Sequence, residues 1–392
     1  MSTISASTTT TTAYKVTADT TGTLVLQTGA TPTTAVTVGT DQSVTLAGTL
    51  AVQSQNMTPY TGFKNRIING AMVIDQRNAG ASVTLATGHN YVVDRLNMYK
   101  GTAGATVTGQ QASASIAGFE KCAVWTTTVA SAPAAGDING IWQVIEGLNT
   151  LDLQWGTANA KACTVSFWFK ATTSGTYALS ILSGGGDLSY VATFSATSTF
   201  TYFSFSIPAP TTGTFYKNTL AGMYVTIDAG SGTNYNTATT GSWIAGNFKR
   251  TSACVNSTAN TNTLSLTGFQ FEVGSTATSF DYRPYGTELA LCQRYYVKFN
   301  GTSSAYMPCV IMAAINTTNL TGQLQMPVKL RDQPSSITVG GSAGTYATMA
   351  LDRADFDQIM VYATTTGLTA QYSYRWIGNA DGTSYISVSV EL

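Results

Sequence analysis

Short runs in which apolar and polar residues alternate recur along this chain, and helical spacing is nearly absent. In residues 164–170, Val165, Phe167 and Phe169 share one parity and Trp168 takes the other. Phe203, Phe205 and Ile207 repeat the pattern over 202–207, and 223–227 alternates again. Residues 91–99 place Val92, Leu96 and Met98 on one face with Asp94. Period-two spacing marks a strand with one buried face. Leu264 and Leu266 hold one parity, whereas Phe269, Phe271 and Val273 hold the other. The slip falls at Gly268, so a β-bulge is predicted there. Strands separated by Gly, Ser and Thr clusters, with no helices between them, predict an antiparallel sandwich.

One stretch breaks this rhythm. Residues 288–296 predict a helix, with Leu289, Cys292 and Tyr296 on one face and Glu288 at its positive N-terminal end. A Pro284-Tyr285-Gly286 turn precedes it. Strands are predicted again at 306–314, 337–339, 355–362, 369–376 and 385–392, with a turn-rich insert at 316–321. In the last strand Ile386, Val388, Val390 and Leu392 face one way. Asn379 to Gly382 reads as a hairpin turn. At the other end, residues 1–12 are a Thr-rich lead expected to be disordered or extended. Short β runs follow at 14–18, 23–27, 35–38 and 43–46, too poor in apolar residues for a core of their own. Residues 51–60 lack a pattern and read as a linker. The resulting organisation is all-β. It comprises an N-terminal β module at 1–55, a sandwich at 56–285, a helical linker at 286–299 and a C-terminal β domain at 300–392.

Charge sharpens the picture. Charged residues make up 10% of the chain and net charge is zero, against about 25% charged in ordinary soluble domains. Such a surface does not draw nucleic acid or an anionic membrane by long-range attraction. It suits a protein held permanently in a large assembly. No run of about twenty apolar residues predicts a membrane span. The opening Met1 to Lys15 has neither the basic nor the apolar region of a secretory signal. Five cysteines without a CxxC pair predict reduced, buried thiols made in a cytoplasm.

Two segments carry a resemblance. The first is Asn65 to Asp75, NRIINGAMVID, followed by Gln76-Arg77 and by Asp94-Arg95, with Leu96 where Trp is common. The second runs from Gly268 to Phe299: GFQFEVG, then ATSFD, a Pro-Tyr turn, and ELALCQRYY. Together they resemble bacteriophage tail-fibre and minor virion proteins, and they bracket over half of the chain. The resemblance implies that the sandwich is a carbohydrate-binding-module-like jelly roll and that the short helix leads into a terminal β domain. It also implies a homotrimer, made in the host cytoplasm and located in the virion. Residues 1–55 would attach to other virion proteins, and the distal domains would meet a host cell-surface glycan. The expected function is therefore structural and non-enzymatic, a tail fibre or receptor-binding protein. The alternatives are a capsid-side head fibre or decoration protein, and a glycan depolymerase.

The side chains available for chemistry point the same way. His89, the single histidine, sits in a Gly-His-Asn turn and can supply neither a triad nor a metal site alone. The Gly340–Gly344 cluster lacks the Lys-Ser/Thr of a phosphate loop. Glycoside hydrolysis needs two opposed carboxylates, for which Glu146 with Asp152 or Asp187 are the candidates. Sugar binding needs aromatic faces beside polar groups. Trp142, Trp155, Trp168, Tyr190, Tyr216, Tyr235 and Trp243 are rings that patterning does not clearly send inward. Trp155 and Trp243, near glycines in predicted loops, lead the carbohydrate-binding candidates, with Trp142 and Tyr190 behind them. No cofactor is expected. Calcium would use carboxylate and backbone oxygens at strand ends, with no ligand set assigned.

Overall fold

The computed structural model describes residues 16–18, 24–28, 33–38, 44–46, 63–300, 308–340, 348–377 and 385–392. The lead 1–12, the linker 51–60 and the turn predicted at 379–382 lie outside the described residues. The chain divides into two compact units, Met1–Tyr60 and Thr61–Leu392.

The first unit contains an antiparallel four-stranded sheet in simple up-and-down order. Its strands are β1 (Val16–Ala18), β2 (Leu24–Thr28), β3 (Thr33–Val38) and β4 (Val44–Leu46). They fall within two residues of the runs that alternation predicts.

The second unit is a jelly-roll sandwich extended by two smaller sheets. Its strands begin with β5 (Val83–Thr84), β6 (Tyr91–Val93), β7 (Leu96–Lys100), β8 (Thr106–Ile116), β9 (Phe119–Val129) and β10 (Asn139–Glu146). They continue through β11 (Cys163–Ala171), β12 (Gly175–Ser183), β13 (Leu188–Ala196), β14 (Thr201–Ile207), β15 (Ala221–Asp228), β16 (Trp243–Ala245) and β17 (Thr263–Val273). One layer has the order β16-β13-β12-β15-β10-β7-β6, the other β14-β11-β17-β9-β8-β5. Between them lies one core. Val165, Phe167 and Phe169 meet Tyr177, Leu179, Ile181 and Phe194 from the opposite layer. Trp168 points outward, as its parity requires.

The bulge forms where the parity slips. Across β11 and β17, Ser166 pairs with Gln270 but Trp168 pairs with Thr267. Gly268 absorbs the extra residue at φ +61°, a left-handed conformation that glycine adopts without a Cβ penalty.

The opening segment is stitched to this same strand. Asn65 Oδ1 accepts from Phe271 N (3.0 Å) and Ile67 N (2.9 Å), and its Nδ2 donates to Phe269 O (3.1 Å). Gly70 runs so close to β17 that a Cβ there would lie 2.1 Å from Phe269 O. The Asn69 amide donates to Ile74 O and to Asp94 O at 2.8 and 3.0 Å. The Gln143 amide makes two bonds to the Ile68 backbone. Asp94 and Arg95 form the two-residue turn between β6 and β7, with Val93 opposite Leu96 and Arg95 at φ +68°.

The helix α1 spans Tyr285–Gln293, so it starts and stops earlier than the predicted 288–296. Pro284 O accepts from the backbone N–H groups of Thr287 and Glu288, which nucleates the turn. Val390 N donates to Tyr295 O and draws the chain into a strand. Tyr296 therefore opens β18 rather than extending the helix. Glu288 is buried and accepts from Asn69 N at 2.5 Å.

The remaining strands are β18 (Tyr296–Asn300), β19 (Pro308–Ala314), β20 (Asn319–Gln325), β21 (Ile337–Gly340), β22 (Thr348–Ala354), β23 (Gln358–Thr364), β24 (Ser373–Ile377) and β25 (Tyr385–Ser389). They form sheets ordered β18-β25-β21 and β22-β23-β20-β19-β24. The predicted insert at 316–321 is shorter than expected. Asn316 Oδ1 caps the turn by accepting from Thr318 N and Asn319 N, and β20 then begins. The segment after β25 returns to the sandwich. Glu391 lies between Arg77 (2.7 Å) and Arg95, while Arg331 Nε donates to Val390 O at 2.7 Å. The guanidiniums of Arg77 and Arg95 stack on the rings of Tyr296 and Tyr295, each 3.5 Å from the centroid. Cys122, Cys163, Cys254 and Cys292 are free and buried.

Candidate functional site

Three of the four leading aromatic candidates are core residues. Trp155 is 1% exposed, Tyr190 4% and Trp142 5%. A ring so enclosed presents no face to a sugar, so the sequence expectation is corrected for these three. Trp155 is held because its Nε1 donates to Lys161 O (2.7 Å) and its ring meets Phe215, Trp243 and Phe271 edge-on. Tyr190 packs against Trp243. Trp142 lies under Tyr99, stacked at 5.1 Å. Trp243 is half-buried, packs on the core, and donates Nε1 to Pro208 O at 2.6 Å.

A cluster of aromatic rings that includes exposed ones lies elsewhere, on the outer face of the β14-β11-β17-β9-β8-β5 layer. Trp168 on β11 and Tyr202 on β14 are cross-strand partners, and their ring centroids are 5.5 Å apart. Phe119, at the start of β9, continues the row. Residues 278–282, after β17, fold back over this face and add Phe280 and Tyr282. These rings, with Ser166, Gly268, Thr278 and Ser279, line a cavity of about 330 Å³. A second cavity of about 240 Å³ shares Phe119, Phe280 and Tyr282 and adds Val73, Glu120 and Tyr285. The two therefore adjoin as one trough with Tyr282 between them. Tyr202, Tyr282 and Tyr285 are 43%, 57% and 63% exposed.

Each wall of the trough has a structural cause. Gly268 supplies the floor: a Cβ there would lie 2.9 Å from the Phe119 ring and 3.0 Å from Trp168. Tyr282 is fixed by donating its hydroxyl to Gly118 O at 2.5 Å. Its ring packs on Phe280 (4.8 Å) and Phe119 (5.6 Å). Gln270 and Glu272, the polar positions of β17, tether the folded-back segment. Glu272 accepts from Thr278 N (2.9 Å) and Thr278 Oγ1 (2.5 Å), and Gln270 Oε1 accepts from Asp281 N (2.8 Å). Behind the second cavity Arg283 and Glu288 pair at 3.1 Å. Partial burial raises the pKa of the Tyr282 phenol. The trough thus offers fixed ring faces beside hydroxyls.

The carboxylates weighed for hydrolysis are engaged in holding the fold. Glu146 is buried and accepts from Arg294 Nη2 (2.7 Å) and the Tyr295 hydroxyl (2.6 Å). Asp152 pairs with Arg66 at 2.5 Å. Asp187 closes the turn between β12 and β13, accepting from Ser183 Oγ (2.6 Å) and Thr214 Oγ1 (2.8 Å). Those bonds depress its pKa to about 2. His89 is exposed on one side, with Nδ1 2.6 Å from Asn97 Nδ2, and partial covering of the ring lowers its pKa. Among the described residues no group of three His, Cys, Asp or Glu side chains is placed to hold a metal.

Trp168 stood among the rings that alternation left outside, but its partners were not visible. Its pairing with Tyr202 depends on strand register, and Phe280 and Tyr282 join only through the fold-back after β17.

No protein-family model and no curated protein matches the chain. Among solved structures, a CBM4 structure is similar at 16% identity and TM-score 0.28, over 53% of this chain and 98% of that one. The family 11 carbohydrate-binding module of a Clostridium thermocellum cellulosomal cellulase is similar at 12% identity and TM-score 0.25, over 50% of this chain and 100% of that one. The enzymatically active domain of tailspike protein 4 from bacteriophage CBA120 is similar at 12% identity and TM-score 0.28. That likeness covers 54% of this chain and 21% of the tailspike chain.

Proposed function

We propose that this chain is a non-enzymatic glycan-binding protein of a phage virion, a homotrimeric tail fibre or receptor-binding protein. The observation that carries the glycan reading is the trough in which Trp168 and Tyr202 on the outer sheet face meet Tyr282 and Tyr285 from the segment folded over it. Aromatic faces stack on the C–H faces of pyranose rings, and adjacent hydroxyls orient the sugar. A shallow trough gives modest affinity per copy, which three copies on one fibre multiply. The virion reading is supported by the resemblance of residues 65–75 and 268–299, two segments that meet in the fold through Asn65 and β17. Residues 1–55 would supply the attachment to other virion proteins.

The test is binding of the purified protein to an array of bacterial surface glycans, repeated with Trp168→Ala and Tyr282→Ala. Binding by the parent chain and a loss of about tenfold or more in each variant, about 1.4 kcal/mol, is the expected result. Retained folding is checked by circular dichroism. A parent chain that holds no glycan, or variants that bind as well as it does, would refute the reading.

A further inference from the structure

The other layer of the sandwich has an outward face that is covered, and the cover leaves polar groups unpaired. Trp142, Thr226 and Ser180 form one cross-strand row over β10, β15 and β12. Their neighbours Ile141, Val225, Ile227, Leu179 and Ile181 fill the core, so this row faces away from it. The segment after β16 lies over it. Phe248 and Cys254 pack on Ala178 and Val191 of the same face, and Lys249 Nζ sits 5.6 Å from the centre of the Trp142 ring.

All four members of this layer are nine-tenths buried or more. Trp142 Nε1, Thr226 Oγ1 and Ser180 Oγ have no hydrogen-bond partner among the described residues. Among the described residues no carboxylate lies within ion-pair distance of Lys249, although Asp228 acts on it from further away. The nearby Asp228 is occupied by Arg250 (3.2 Å) and by the N–H groups of Gly230 (2.9 Å) and Ser231 (3.1 Å). Arg250 is also bonded to Ser231 O and Cys254 O. Tyr99 stacks on the Trp142 ring and His89 meets it edge-on.

A buried polar atom without a partner costs about 1–3 kcal/mol, and buried charges are normally paired. The three unmet groups can all donate, and the Lys249 ammonium beside the Trp142 ring is a fourth donor. The indole N–H and the ammonium can only donate, and the two hydroxyls donate as readily as they accept. An occupant that accepts from all four and carries negative charge satisfies them together. We propose that this layer is an internal site for a small monovalent anion of halide size, bound by Lys249, Trp142, Thr226 and Ser180. Burial lowers the pKa of Lys249 to about 8, Asp228 opposing, and a bound anion would raise it again.

The test uses the full chain crystallised with sodium bromide, and melting in sodium chloride against sodium gluconate at equal ionic strength. An anomalous bromide peak bounded by the four side chains is expected. So is a saturable rise in melting temperature with chloride that Lys249→Met abolishes. Thr226→Val, which keeps the ammonium and the fold, should weaken the chloride response several-fold. Ordered water at this position, bromide confined to the outer surface, or equal melting in the two salts would overturn the proposal.

Discussion

Gly268 determines both the course of a strand and the shape of the trough. Its φ of +61° is unfavourable for most side chains, and a Cβ would enter the space between Phe119 and Trp168. Gly268→Ala is expected to cost about 1–2 kcal/mol of stability and to weaken glycan binding in step with Trp168→Ala. Chemical denaturation and binding measured on the same sample check both. Asp94 gives a residue-scale prediction of a different kind. Its burial, opposed by Arg77 and the Gln76 amide, raises the carboxyl pKa to about 7. The folded state then holds the proton more tightly than the unfolded chain does. That stability is complete below the ordinary carboxyl value of about 4 and is lost as pH rises through about 7. The parent chain should lose melting temperature over this window, and Asp94→Asn should flatten the slope. Identical slopes would show that Asp94 is not the group responsible.

At the scale of elements, alternation located strands wherever the inward residues are large. It found β11, β14, β15 and β17, and it placed the bulge correctly. The hairpin of β8 and β9 was missed for a physical reason. β8 reads Thr-Val-Thr-Gly-Gln-Gln-Ala-Ser-Ala-Ser-Ile, and its inward Gly109 has no side chain to register as apolar. The core there is supplied from other strands: Met98, Val92 and Leu85 fill the space that a Cβ on Gly109 would need. The same limit explains the aromatic candidates. Trp155 lies next to Gly156 in a loop, which looks exposed in one dimension, yet it plugs the core between Phe215, Trp243 and Phe271. Half of the trough was legible as Trp168's parity, and the other half arises from a fold-back that no local pattern encodes. The opening segment offers a direct check on the interlock with β17. Gly70→Ala would drive a methyl into Phe269 O and is expected to cost about 1–3 kcal/mol, read as a lowered denaturation midpoint. An unchanged midpoint would mean that the two segments separate without penalty.

For the whole molecule, low charge and an all-β build are legible from composition and pattern alone. The join between the sandwich and the later sheets is not, because it depends on contacts between distant segments. Residues 61–392 group as one compact unit, in which the strands after the helix keep a second apolar core of their own. The join runs through Arg77, Arg95, Glu146, Glu391 and Arg294, charged residues scattered along the chain whose pairing becomes visible only in three dimensions. The trimer in the proposed function is tested by light scattering on the full chain at micromolar concentration. A mass three times that of the chain is expected, and a monomer would remove the multivalency on which the affinity argument rests.

The return of Glu391 to the sandwich has a mechanical consequence. Glu391 is gripped by Arg77 and Arg95, Arg331 grasps the adjoining backbone, and the Tyr91 hydroxyl donates to Leu392 O at 2.5 Å. Tension applied near residue 392 therefore enters the jelly roll directly instead of passing first through the smaller sheets. A pull on that end is borne by the ion pairs of the sandwich before the smaller sheets are loaded.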